Sequence, residues 1–170
     1  MERMRTVTAA ELDAVGEAAR ASPRLRMNAN LHRMEDPVHR LLNAFEPGSY
    51  VRPHRHAVPP KVETVTVLRG RGAVLVFDDA GAVAGCAVVS QSGPAFVAEI
   101  PAGAWHTLVA LEPGTVWFEV KEGPYVQPVA ADWAPWAPDP SSPGAAAYLD
   151  ELRRAASAGA HSHPLTRPSA

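Results

Sequence analysis

Between about residue 37 and residue 121 the chain breaks into short apolar stretches, rich in β-branched residues and separated at close intervals by Gly, Pro and Asp turns. VHRLLNAF, SYVRPHRH, VETVTVLRG, GAVLVFDD, AVAGCAVVS, AFVAEIP, WHTLVALEP and TVWFEVK follow one another in this way. Regularly spaced short strands with turn signals predict an antiparallel sandwich or barrel. Asp78-Asp79-Ala80-Gly81 has the composition of a hairpin turn between two of them. Ala44 to Ser49 (AFEPGS) and Ala110 to Thr115 (ALEPGT) echo each other, and Pro followed by Gly in each has the chemistry of a type II turn.

The flanks read differently. Thr8 and Glu11 have capping-box spacing ahead of Leu12, Val15 and Ala19, which predicts a helix over residues 8–21 that ends at Ser22-Pro23. After residue 122 the composition shifts to Ala, Pro and Ser; Trp133 and Trp136 are expected to anchor this segment on the barrel. Ser142-Pro143 opens a short helix through Tyr148, Leu149 and Leu152 that stops near Gly159, and the last ten residues read as a disordered tail. The expected division is residues 1–36 as helix and lead-in, 37–125 as barrel, and 126–170 as C-terminal extension.

A chain of 170 residues suits one such domain. Its formal net charge of −2 gives no reason to expect nucleic acid or an anionic membrane as partner. No apolar run approaches the roughly 20 residues of a membrane span, and charges interrupt the N-terminal stretch where a signal peptide would be apolar. The single cysteine, Cys86, lies in an apolar run and reads as a buried small hydrophobe. It has no internal disulfide partner, which fits a reducing cytoplasm.

His54-Arg55-His56 is the triplet that carries chemistry. Residues two apart on a strand project to one face, so both imidazoles can enter a barrel interior. Glu63 opens the next apolar strand, where a hairpin can bring its carboxylate beside them. His106 follows a Pro/Gly turn in Pro101-Ala102-Gly103-Ala104-Trp105-His106, which would aim it at the same point. Three imidazoles and a carboxylate suit one divalent transition-metal ion, Fe, Mn, Ni, Zn or Cu, with positions left open for water or substrate. His161-Ser162-His163 has the same spacing but no strand around it and reads as solvated. His39 reads as an exposed strand residue.

Gly48-x5-His54-x-His56-x6-Glu63-x6-Gly70 resembles the first cupin motif, and Pro101-x-Gly103-x2-His106 the core of the second. The interval from His56 to Glu63 is longer than cupins usually show, and Ala110 stands where Asn is usual. Asn30-Leu31-His32, Asp36 to Asn43 (DPVHRLLN), Glu46-Pro47-Gly48, Pro53 to His56 (PHRH), Ile100 to His106 (IPAGAWH), Phe118 to Lys121 (FEVK) and Gly123-Pro124-Tyr125 resemble the WbuC family of cupin-fold metalloproteins, whose own spacing from His to Glu this is. Val62 stands where that family usually has Trp. The resemblance implies a mainly β chain: a single cupin barrel (jelly roll, or double-stranded β-helix) with a short N-terminal helix and a C-terminal helical and irregular extension. It also implies His54, His56, Glu63 and His106 as metal ligands, association with bacterial surface-polysaccharide gene clusters, and a homodimer.

If His54 and His56 point inward, strand alternation puts Tyr50 and Arg52 on the same face. An inward guanidinium needs an anion, supplied either by a substrate carboxylate or phosphate or by a structural acid such as Glu119. Lys61 falls at the pocket rim, Val65 and Val67 in the core, and Trp105 on the opposite face from His106. Asn30 and His32, in an irregular stretch before the barrel, and Lys121 and Tyr125, in the Lys-x-Gly-Pro-Tyr stretch, complete the candidate substrate-binding set with Arg52. Tyr50 and Lys61 are the candidate acid/base groups.

These readings favour a small-molecule enzyme that uses the metal as a Lewis acid on a sugar-like or oxyacid substrate, by isomerisation, epimerisation or lyase-type proton transfer. An Fe(II)-dependent dioxygenase and a non-catalytic, metal-dependent sugar-binding module are the alternatives.

Overall fold

The computed structural model describes residues 4–158. Thr8 caps the first helix, α1 (Ala9–Ala21). Its hydroxyl accepts from the Glu11 backbone N–H, and the Glu11 carboxylate accepts from the Thr8 N–H at 2.9 Å, so two N–H groups with no helical partner are satisfied. Val15 and Ala19 on its inner face bury against Leu42, Ala44 and Val116. Replacing Thr8 with alanine should lower the unfolding free energy by about 1 kcal/mol, read from urea denaturation. An unchanged midpoint would mean that the Arg5–Glu11 ion pair, not the cap, holds the helix start.

Eight strands follow: β1 (Arg26–Asn30), β2 (Val38–Phe45), β3 (Glu63–Arg69), β4 (Arg71–Phe77), β5 (Val83–Ser90), β6 (Val97–Ile100), β7 (Trp105–Ala110) and β8 (Thr115–Glu122). They form two antiparallel sheets, ordered β1-β2-β8-β3-β6 and β5-β4-β7. The sheets face each other across one apolar interior. Phe45, Val65, Val67 and Trp117 of the first meet Val74, Val89, Leu108 and Ala110 of the second. This is the two-sheet jelly roll of the cupin type.

Alternation along the strands explains the layers outside it. On β4, Val74 points inward, whereas Ala73, Leu75 and Phe77 point out under the C-terminal helix α2 (Ala145–Ala158), which covers them with Leu149, Leu152 and Ala156. Trp105 and Val109 on β7 join that outer layer, and His106 and Leu108 turn inward. Trp136 packs on Phe77 at 4.9 Å between ring centroids, the anchoring expected of it. Among the described residues no helix is long and apolar enough to cross a membrane.

One row of the interior leads to the site. Trp117, Glu119 and Lys121 on β8 lie opposite Asn43, Leu41 and His39 on β2, and opposite Val67, Val65 and Glu63 on β3. The barrel is therefore apolar at one end and charged at the other.

Four local expectations change. Residues 26–30, within the stretch read as irregular, form β1, because they complete backbone pairs along β2. Residues 50–56 form no strand; only His54 makes isolated bridges, to His106 and to Trp133, so strand alternation does not govern this segment. The two Pro-Gly turns differ: Gly114 has φ +67° as a type II turn requires, whereas Gly48 is not left-handed and Glu46–Ser49 closes by a 2.8 Å backbone hydrogen bond. His39 is buried, not exposed. The pair His161 and His163, the tail and Gly159 lie outside the described residues.

Candidate metal centre

Two segments distant in sequence deliver the three histidines. His106 is fixed by the β4–β7 ladder, where it pairs with Val76. The His54 backbone then pairs with His106 through reciprocal hydrogen bonds of 2.9 and 2.8 Å. On its other side the segment is held by Arg55 N–H to Asp132 carbonyl and Ala134 N–H to Pro53 carbonyl, each 2.9 Å. The C-terminal extension is thus part of the frame of the site. His56 follows two residues on, with its ring centroid 5.3 Å from that of His54 and 5.6 Å from that of His106.

Ligand nitrogens of His54, His56 and His106 lie within 4.8 Å of one another. In two of the rings the remaining nitrogen is engaged by the backbone: His54 Nδ1 lies 3.1 Å from the Arg52 carbonyl and His106 Nδ1 2.9 Å from the Ala104 carbonyl. A ring that donates from Nδ1 carries its lone pair on Nε2, the form that binds a metal. Burial first, and then the neighbouring His106, pushes His54 to lower pKa; burial does the same for His106 against the opposing Glu63 charge, and both shifts favour the neutral ring. The buried His106 Nε2 has no hydrogen-bond partner. A buried polar atom left unpaired is costly, and two further histidine nitrogens beside it are the surroundings a cation would satisfy. The donor set therefore fits a divalent transition metal.

Glu63 adjoins the cluster. Its Oε2 lies 3.1 Å from His56 Nε2, 3.8 Å from His106 Nε2 and 3.6 Å from Lys121 Nζ. Burial works against its charge, but Lys121 and the imidazoles outweigh burial and hold the carboxyl well below the usual range. Lys121 Nζ also lies 2.5 Å from Glu119 Oε1, and Asn43 Nδ2 donates to Glu119 Oε2 at 2.8 Å. Burial, and then the Glu63 charge, pushes the Glu119 carboxyl up.

Above the histidines opens a cavity of about 200 Å³, whose lining includes His54, His56, Lys61, Lys121, Tyr125 and Trp133. Of the residues expected at the site, Lys61, Lys121 and Tyr125 thus stand over the cluster. Lys61 is more deeply placed than a rim residue: it is 7% exposed and donates to the Pro124 carbonyl at 2.6 Å. The others lie elsewhere. Tyr50 is packed with Leu149 and Trp105 under α2, and its hydroxyl donates to the Pro138 carbonyl. Arg52 reaches the Ala134 carbonyl at 2.8 Å and Asp139 at 3.7 Å, so its anionic partner is Asp139 and not Glu119. Both placements follow from the absence of a strand over residues 50–53. Asn30 is exposed at the end of the edge strand β1.

His32 acts at one remove. It stacks at 4.0 Å on His39, which lines the cavity. His39, read from the sequence as exposed, and Trp133, read as an anchor on the barrel, are lining residues not expected at the site. For His39 the signal was present, since it shares parity with Leu41, Asn43 and Phe45 on β2; for Trp133 there was none. Gly123 keeps this corner closed: a Cβ there would lie 1.9 Å from the Asp36 carbonyl and 2.9 Å from His39 Nε2.

A two-sheet jelly roll whose interior ends in a histidine cluster is a cupin-type barrel with a candidate metal centre. Residues 7–89 match a family model described as a domain of unknown function, DUF6016. No curated protein matches the chain. Among solved structures it is similar to a recombinant oxalate oxidase in complex with glycolate (20% identity, TM-score 0.47, 59% of this chain and 52% of that one). It is also similar to the TT1209 protein from Thermus thermophilus (21%, 0.46, 59% and 86%) and to KdgF from Halomonas sp. (19%, 0.48, 62% and 84%). The chain spans about half the length of the oxalate oxidase.

Proposed function

We propose that the protein is a metal-dependent cupin, of WbuC type, that binds and transforms a small oxyacid or sugar-like molecule in the cavity above His54, His56 and His106. The observation that carries this reading is the unpartnered, buried Nε2 of His106 beside the nitrogens of His54 and His56. Glu63 is the fourth ligand in this proposal, since its carboxylate stays ionised next to two of the rings.

When bound, a divalent metal supplies Lewis acidity toward a substrate oxygen. The residues of the chain do the remaining work. The Arg52 and Ala104 carbonyls hold two rings in the ligand tautomer. Lys121 keeps Glu63 charged, and Lys61 presents an ammonium group to the cavity. Of the two candidate acid/base groups, Tyr50 and Lys61, we favour Lys61, because Tyr50 has its hydroxyl committed to Pro138 in the outer layer.

Elemental analysis of protein purified without chelators or affinity-resin metals tests the reading. About one divalent ion per chain is expected, removable by a strong chelator and restored by dialysis against a single metal. Protein that neither carries nor takes up an ion would end it.

A further inference from the structure

The polar groups around the cavity are unevenly shared between donors and acceptors. Lys61 and Lys121 bring two ammonium groups to the lining, and that of Lys121 is held between Glu119 and Glu63. Lys61 donates to the Pro124 carbonyl, and an ammonium carries three donors, so it has capacity for a ligand beyond that bond. Side-chain acceptors are fewer: the Tyr125 hydroxyl and one oxygen of Asp132, whose other oxygen is engaged by the Val129 N–H at 2.9 Å; among the described residues lining the cavity there is no Ser, Thr, Asn or Gln. A polyhydroxylated sugar brings hydroxyls that are each donor and acceptor, and burying them without partners is costly. A carboxylate is acceptor-only and matches the ammonium donors.

The apolar groups are graded by depth. Lys61 is 7% exposed, whereas Val58 is 84% and Val126 46% exposed, and both valines line the same cavity. Ala57, Pro59 and Pro128 extend that surface. Single exposed apolar residues mean little; a group of them around one concavity marks a binding surface. At about 200 Å³ the space is smaller than the ~300–1,000 Å³ of sites for drug-sized ligands.

From this arrangement we infer that the site takes a small monocarboxylic acid whose carboxylate lies inward toward Lys61 and whose body is apolar, resting on Val58 and Val126. This narrows the substrate class of the metal-dependent reading above and rests on it.

The test uses the full chain loaded with zinc, with metal content measured on every sample, and calorimetric titration with matched probes. Cyclohexanecarboxylate and benzoate are expected to bind at least about tenfold more tightly than glucuronate, which keeps the carboxylate and adds hydroxyls, or benzamide, which keeps the ring and loses the charge. Lys61→Met should weaken benzoate by about tenfold at unchanged metal content, and Lys61→Arg should recover most of it. Val126→Ser should weaken benzoate but not acetate. Glucuronate or benzamide binding as well as benzoate, or no acid binding at full metal content, overturns the inference and leaves the metal reading standing. Failure to load zinc overturns both. Should Lys61→Met not fold, the probe series on the unaltered chain decides alone.

Discussion

Replacing His106 with alanine should leave the protein folded and take its metal content from about one ion per chain to nearly none. His106 is the member of the cluster with the firmest backbone, paired along the β4–β7 ladder, and its side chain is 1% exposed. Its Nε2 has no other hydrogen-bond partner, so the ring serves nothing else through that atom. Loss of a group that only orients a ligand already weakens metal affinity by about 10–100-fold, and loss of the ligand itself should exceed that. The strands around it lose a buried side chain but none of their backbone pairs. Elemental analysis, with circular dichroism as the fold control, reads the outcome. Undiminished metal uptake in the folded variant would place the ion elsewhere.

A second large effect is expected at Lys121. Its ammonium lies between Glu119 Oε1 at 2.5 Å and Glu63 Oε2 at 3.6 Å, both carboxylates being almost wholly buried. Burial disfavours the lysine charge, but the two acids outweigh it and raise the Lys121 pKa. Lys121→Met removes the cation and keeps most of the volume. Uncompensated buried charge of this kind costs about 3–5 kcal/mol, to be read from urea denaturation of the metal-free protein. Metal should restore part of the loss, because a cation beside Glu63 replaces the missing ammonium. A loss under about 1 kcal/mol would show that both acids take up protons once the ammonium is gone, so that no buried charge is left unpaired.

Much of this was legible in the chain because strand patterning is a local signal. All the apolar stretches except SYVRPHRH became strands, Thr8 and Glu11 became a capping box, and His106, Leu108 and Ala110 fell on one face with Trp105 on the other. Reasoning from parity failed where there was no ladder to enforce it. Tyr50 and Arg52 precede His54 on a segment held by single bridges, so their side chains follow the neighbouring C-terminal extension: Tyr50 donates to Pro138, and Arg52 turns to Ala134 and Asp139. His39 was misjudged in the opposite sense, since its strand is regular and its parity with Asn43 places it inside. Trp133 was beyond reach, because a contact so far along the chain from the first histidines has no periodicity to announce it.

The double bracing of the His54 segment makes the histidine cluster depend on two distant parts of the chain. Residues 53–55 pair with β7 on one side and with residues 132–134 on the other, and lie in no ladder of their own. They gain those hydrogen bonds only once β7 and the extension lie on either side of them, and such contacts close long loops. The sheets could be complete while two of the three imidazoles still lack a fixed place. Metal capture would then mark the finished chain, and a partly folded barrel would stay chemically silent.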